Sequence, residues 1–379
     1  MRTELVDQTL PTVVLLFGGQ SGEHQISCAT AGGVLRAINP EQWNVVPVGI
    51  APTGQWVPMP NDPEVYDLAA DGGYTVEVGQ RRVGFIPGSP MMLEYQVAEG
   101  EAPVDGTVTT IGKVDVVFPL LHGPFGEDGT VQGLLEFSHV NYVGCGVASS
   151  AVCQDKHLTK TVLDHAGIDV GKWVSFSKDQ WEDRTRHFED QIAKLGYPVF
   201  VKPCRAGSSL GVSRVSSPTD LLAAVEEAQR HDPRVIVEAA VVGREVECGV
   251  LVTADGEVHT SAVGEIRTLG DDFYDYETKY FDSEAVALDC PANLPEGVTE
   301  RIQREAERAF RALEGEGISR VDFFYNNETG RLVLNEVNTM PGFTPFSMYP
   351  VMFQEAGLAY NELVNALLQE AASRPAGLR

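Results

Sequence analysis

Residues 320–338, RVDFFYNNETGRLVLNEVN, decide how the rest of the chain is read. Two runs rich in Val, Leu and aromatic residues flank the turn cluster NNETG, a pattern that predicts a β-hairpin. If Tyr325 pairs with Arg331 across a five-residue loop, Arg320 faces Glu336 and Asp322 faces Leu334. The two-residue period of a strand then puts Arg320, Asp322, Glu336 and Asn338 on one face, with Phe324, Leu332 and Leu334 beside them. Adjacent strands lie about 5 Å apart, so Asp322, Glu336 and Asn338 can reach one small cluster of ions. An all-oxygen donor set favours Mg²⁺ or Mn²⁺. A solvated face of loosely paired charges is the other reading of the same residues. The apolar neighbours favour the metal, because unpaired carboxylates among them are costly.

Upstream, VKPCRAGSSLGVS at 201–213 ends one strand on a lysine, runs through small residues, and resumes a strand. Glycines let the backbone approach an anion, successive N–H groups and the hydroxyls of Ser208 and Ser209 can donate to phosphate oxygens, and Lys202 brings the charge. An ordinary hairpin loop is equally compatible with this stretch alone. No G-x-x-x-x-G-K-[ST] run occurs, which disfavours a P-loop NTPase. GCGVAS at 144–149 has Ser149 where a dinucleotide fingerprint needs its third small residue, and is read as a turn.

Around these motifs the chain changes character. Its first part alternates: a strand at 13–17, the turn GGQSGEHQIS, a helix CATAGGVLRAI, a strand WNVVPVGI, then a Gly- and Pro-rich stretch over about 52–112, and a second strand, turn and helix through VDVVFPLL, HGPFGEDG and TVQGLLEFSH. Such alternation predicts a parallel sheet covered by helices, and the later part reads as mixed α+β. SSPTDLLAAVEEAQRHDP predicts a helix with Ser217 as N-cap and Pro218 at its first position.

Composition narrows the function. The 379 residues, 43% apolar and 22% charged, suffice for two or three globular domains. The apolar run VVLLF is far too short for a signal sequence or membrane span, so a cytoplasmic location is expected. Six cysteines, at 28, 145, 153, 204, 248 and 290, form no C-x-x-C pair and are expected to be reduced thiols. A net charge of −26 repels nucleic acid and anionic membranes, so an anionic substrate must be held by local cations. Lysine is scarce, with eight residues against twenty arginines, which draws attention to Lys156, Lys202 and Lys279 inside distinctive motifs.

In order along the chain, GGQSGEHQIS, LHGPFGEDGTVQG, QDKHLTK, VKPCRAGSSLGVS, FYDYETKY (273–280), SRVDFF and NEVNTMPGFTPFS resemble the D-alanine:D-alanine ligase family of the ATP-grasp superfamily. The resemblance covers nearly the whole chain, and the departure from shorter members is the long segment at about 52–112. It implies a three-domain ATP-grasp fold, α/β and α+β, with an N-terminal Rossmann-like parallel-sheet domain over 1–148, a central subdomain over 149–242 and a C-terminal subdomain over 243–379. It further implies ligation of two D-alanines through D-alanyl phosphate, with ADP and phosphate released, for peptidoglycan synthesis. Lys156, Lys202, Ser209, Glu238, Ala239, Val241 and Glu245 would bind ATP. Asp322, Glu336 and Asn338 match a site for two Mg²⁺ (or Mn²⁺) ions. Arg320 and the Gly342 N–H would serve the tetrahedral centre, although Arg320 is also placed to pair with Glu336.

The resemblance also gives the amino-acid site. Glu23, which on residues alone reads as a helix N-terminal charge, would hold the first D-alanine's ammonium, and His122 its carboxylate. Ser208 would bridge Glu23 and Tyr280. Ser347, Met348 and Lys279 would receive the second D-alanine. FYDYETKY would be a lid that excludes water from the acyl phosphate. A homodimer is implied. Rival readings are a D-alanine:D-lactate ligase, disfavoured by tyrosine rather than phenylalanine at 280, and a non-catalytic nucleotide-binding protein of the same fold.

Overall fold

A computed structural model of the chain describes residues 10–67, 73–98, 103–207, 209–268 and 286–375. The apolar run near the start becomes strand Thr12–Gly18, buried along its full length. Asn44–Ile50 lies parallel to it on one side and Val116–Pro119 on the other, followed by the short parallel strand Asn141–Tyr142. The expected parallel sheet is therefore present, with one antiparallel edge strand, Trp56–Pro58.

The two faces of this sheet are covered in different ways. On one face, Val14, Leu16 and Val48 pack with Val83 and Met92. The latter two belong to a three-stranded antiparallel sheet, Arg81–Phe85, Met91–Gln96 and Thr109–Lys113, built from the Gly- and Pro-rich segment. On the other face, Val13, Leu15 and Phe17 share a core with helix His24–Ala37 and with the last two helices, Met348–Glu355 and Tyr360–Ser373. The first strand and the last two helices are thus packed into one core.

A second, antiparallel sheet has the order Ser213–Val215, Val199–Pro203, Arg234–Ala239, Trp173–Ser177. Helices Lys178–Ala193 and Leu221–Gln229 bury its other face. The helix predicted from Ser217 starts later than its cap residue suggests. Pro218–Asp220 is a single 3₁₀ turn, and the Ser217 hydroxyl bonds the side chains of Thr219 and Asp220 rather than capping the backbone. Of GCGVAS, only Gly144, Cys145 and Gly146 form the expected turn; Val147, Ala148 and Ser149 are the start of helix Val147–Gln154.

The third sheet is antiparallel, in the order Val286–Asp289, Val258–Thr268, Arg244–Val252, Ile318–Tyr325, Leu332–Asn338. Helix Val298–Ala312 covers it with Val298, Ile302, Ala306, Ala309 and Phe310.

The hairpin at 318–338 forms, but in a different register. Tyr325 pairs with Leu332, Asp322 with Glu336, and Arg320 with Asn338. Two features shift the pairing. The Asn326 side chain accepts the N–H groups of Glu328 and Thr329, rounding the loop, and Asn335 is an extra residue on the second strand, between the Phe323–Leu334 and Asp322–Glu336 pairs. The bulge turns Leu332 and Leu334 to the core face beside Phe323. Phe324 and Val333 instead share the face of Asp322 and Glu336. The polar cluster on one face is as expected; Asp322 opposite Leu334 and Arg320 opposite Glu336 are not.

Candidate active site

A cleft of about 400 Å³ opens between the second and third sheets. Lys156, Lys202, Ser209, Glu238, Ala239, Val241, Glu245, Glu336 and Asn338, all singled out from the sequence, line it together. Lys156 begins helix Lys156–His165, whose N-cap Asp155 accepts the N–H groups of His157 and Leu158. Its ammonium donates to the Ala206 carbonyl at 2.8 Å, which ties the helix to the small-residue loop.

Glu238 is the electrostatic centre of the cleft. Lys202 Nζ lies 2.7 Å from one of its oxygens and Lys160 Nζ 3.3 Å from the other. Burial works against the Glu238 carboxylate, but the two ammoniums outweigh it and bring its pKa down to about 2. Burial also opposes charge on both lysines, with different results. For Lys202 the carboxylates of Glu238, Glu336 and Glu245 prevail and its pKa rises. For Lys160 burial wins, helped by repulsion from Lys202, and its pKa falls. A third of this cationic set was therefore missed in the sequence. Lys160 stands four residues after Lys156 on one helix face, in the same QDKHLTK motif, and that spacing was the available signal.

At the inner end, Arg320 is clamped by carboxylates. Its Nε and Nη2 each donate to Asp322 at 2.7 Å, and Glu247 approaches Nε at 3.3 Å. Burial disfavours the guanidinium, yet Asp322 and Glu247 hold its pKa well above the ordinary arginine value. Glu247 sits opposite Asp322 on the neighbouring strand, two residues after Glu245, and strand alternation could have found it. The partners of Arg320 are thus Asp322 and Glu247 rather than a directly opposed Glu336. Asn338 Nδ2 donates to Asp322 at 2.9 Å, so these residues already form one polar unit. The chemistry of Asp322, Glu336 and Asn338 suits a hard divalent cation. Among the described residues no group of three His, Cys, Asp or Glu is placed to hold a metal ion.

Glu23 and His122 come from the first-sheet side and lie beside the cleft: Glu23 next to Gly207, which lines it, and His122 against Met340. Glu23 is the N-cap of helix His24–Ala37 but makes no capping side-chain bond. Its Oε2 lies instead beside Gly123 and Gly207, 3.7 and 3.8 Å from where their Cβ atoms would stand. The turn before it depends on Gly18, whose φ is +89° and where an added Cβ would fall 2.4 Å from the Ile50 carbonyl oxygen. His122 Nδ1 donates to the Met340 carbonyl at 3.1 Å, while its buried Nε2 has no hydrogen-bond partner among the described residues. Gly342 packs against Ser347, whose hydroxyl accepts the Thr344 N–H at 3.1 Å. Met348 is buried against Gly264, where an added Cβ would lie 2.5 Å from its sulfur, so its side chain supports the third sheet. Ser208, Lys279 and Tyr280, and FYDYETKY as a whole, lie outside the described residues.

Family models for the N-terminus and the C-terminus of D-ala D-ala ligase match residues 12–145 and 162–369. The chain belongs to the D-alanine–D-alanine ligase family. A D-alanine–D-alanine ligase from Kineococcus radiotolerans is 50% identical over 98% of this chain and 99% of its own. One from Pseudarthrobacter chlorophenolicus is 48% identical over 97% of this chain and 96% of its own. Among solved structures, the VanG D-Ala:D-Ser ligase from Enterococcus faecalis superposes with a TM-score of 0.78 at 35% identity, covering 96% of this chain and 99% of that one. The D-alanine–D-alanine ligase from Coxiella burnetii gives 0.78 at 31% identity, covering 96% and 94%. ATP dependence is a property of this family, and the later part of the long segment supplies the strands Arg81–Phe85, Met91–Gln96 and Thr109–Lys113, a sheet packed on the first one.

Proposed function

We propose that this chain joins two D-alanine molecules into D-alanyl-D-alanine, splitting ATP to ADP and phosphate, as a step of peptidoglycan precursor synthesis. The convergence of the Lys156, Lys160 and Lys202 ammoniums with Glu336 and Asn338 on one cleft, with Asp322 bonded to Asn338 and Glu23 beside the cleft-lining Gly207, carries the reading. Three domains, at 1–148, 149–242 and 243–379, belong to the proposal, supported by the separate sheets. So does a cytoplasmic homodimer, supported by the family resemblance and by six free cysteines. Among the described residues no helix is long and apolar enough to cross a membrane.

Glu23 receives the first D-alanine's ammonium and His122 Nε2 faces its carboxylate. That carboxylate attacks the γ-phosphate of ATP, whose oxygens Lys156, Lys202 and the Ser209 loop hold in place. Glu238, Ala239, Val241 and Glu245 hold the adenosine part. Two Mg²⁺ or Mn²⁺ ions on Asp322, Glu336 and Asn338 would supply charge neutralisation between the phosphates. The second D-alanine, with its carboxylate at Ser347 and Lys279 near a helix N-terminus, directs its amine onto the acyl carbon. Arg320 and the Gly342 N–H donate to the oxyanion, and phosphate leaves with the C–O bonding electrons. Tyr280, bridged to Glu23 through Ser208, completes the roof in this reading.

The similarity to a D-Ala:D-Ser ligase makes acceptor choice the sharpest test. With D-alanine as donor and equal D-alanine, D-serine and D-lactate as acceptors at neutral pH, D-alanyl-D-alanine is expected to exceed each mixed product by about tenfold or more. Dominant D-alanyl-D-serine or D-alanyl-D-lactate would replace the proposed product.

A further inference from the structure

The turn LHGPFGEDG holds a carboxylate that the mechanism above does not use. Glu127 lines the cleft, and both of its oxygens accept backbone N–H groups: Oε2 from Gly123 at 2.7 Å and Oε1 from Met340 at 3.1 Å. The residues it joins belong to different parts of the fold. Gly123 follows His122 at the end of the first sheet and stands beside Glu23, whereas Met340 follows the last strand of the third sheet and lies two residues before Gly342. His122 grips the same residue by its other backbone group, the carbonyl. Both hydrogen-bonding groups of Met340 are therefore committed to the turn at 122–127.

That turn is built to stay in place. Gly123 and Phe125 both have φ of +67°, and the Glu127 and Gly126 N–H groups return to the Gly123 carbonyl. Phe125 N–H donates to Asp128, and a side chain on Gly126 would fall 2.6 Å from Leu121 Cβ. Burial, with Glu23 nearby, raises the Glu127 pKa to about 8, yet its carboxyl group still accepts both N–H groups and is a rigid bridge, because neither oxygen can turn away without leaving a partly buried donor unpaired.

We propose that Glu127 is a positioning residue that fixes the 340–342 backbone against the first-sheet turn, so that the Gly342 N–H meets the oxyanion only when the first D-alanine's pocket is correctly assembled. This rests on the ligase reading given above and adds a residue to it. A donor of this kind matters most where negative charge develops, so weakening its placement slows attack on the acyl phosphate more than formation of the acyl phosphate.

Glu127→Gln separates the two steps. The amide oxygen can accept one N–H, but its NH₂ faces the other. Dipeptide kcat is expected to fall by about 30-fold, short of the 10²–10³ typical for losing such a donor outright. D-alanine-dependent positional exchange of ¹⁸O within ATP, which reports acyl-phosphate formation, is expected to stay within about threefold. Unfolding temperature and ADP affinity are measured beside it to establish folding. Should the Gln protein not be obtained folded, Glu127→Asp, too short to span both donors, is read for the same split. Equal loss in both assays, or no loss in either, overturns the positioning role. Absence of D-alanine-dependent exchange in the unmodified enzyme would instead fault the ligase reading, so the two failures are distinguishable.

Discussion

Asp322→Asn and Glu336→Gln are each expected to lower kcat for ADP release by about 10³-fold or more, with the fold retained. The two residues stand opposite one another across the hairpin, and Glu336 lines the cleft. Charge is what the substitutions remove, since amide and carboxylate have nearly the same shape. The anionic γ-phosphate and the attacking carboxylate repel one another, and a divalent cation held there is the means of offsetting that repulsion. A chelator should abolish turnover of the unmodified enzyme, with recovery on adding Mg²⁺ or Mn²⁺. The two variants are expected to differ in one respect. Asp322 also carries the bidentate bond to Arg320, so Asp322→Asn loosens that guanidinium, whereas Glu336→Gln leaves it clamped. Near-normal turnover in either protein would remove the metal from the hairpin.

Arg320 gives the next largest effect. Removing it in Arg320→Ala strands Asp322 and Glu247, both buried, without their guanidinium. Breaking one side of such a buried cluster is expected to cost about 3–5 kcal/mol of stability, read from urea unfolding. Arg320→Lys keeps a charge but not the planar fork that meets both Asp322 oxygens, so it should fold better while kcat still falls by about 10²–10³. The KM for ATP is expected to change little, because Arg320 serves the acyl centre rather than the nucleotide. A lysine protein with near-normal kcat would leave Arg320 a structural partner of the acids around it.

What the sequence made legible was local. The hairpin, its polar face and the lysine-terminated strand at 199–203 follow from alternation and turn chemistry, which act within a few residues. The register did not follow, because the Asn335 bulge belongs to an edge strand whose Leu334 N–H bonds the Asp169 carbonyl of a distant segment. Lys160, Glu127 and Glu247 were hidden for a related reason. Each stands in a stretch that was noticed, but its importance comes from a partner on another element: Glu238, Met340 and Arg320 respectively. The packing of the C-terminal helices on the first sheet was equally unreadable, since an apolar helix face does not name what it covers.

The ligation chemistry itself is tested most directly by following oxygen. When D-alanine labelled with ¹⁸O in its carboxylate is turned over with ATP, acyl-phosphate formation places a donor oxygen between carbon and phosphorus. Displacement by the second amine breaks the carbon–oxygen bond, so that oxygen leaves with phosphate. The account predicts one ¹⁸O in the released phosphate for each dipeptide formed, by mass spectrometry. Dipeptide accompanied by unlabelled phosphate would contradict it.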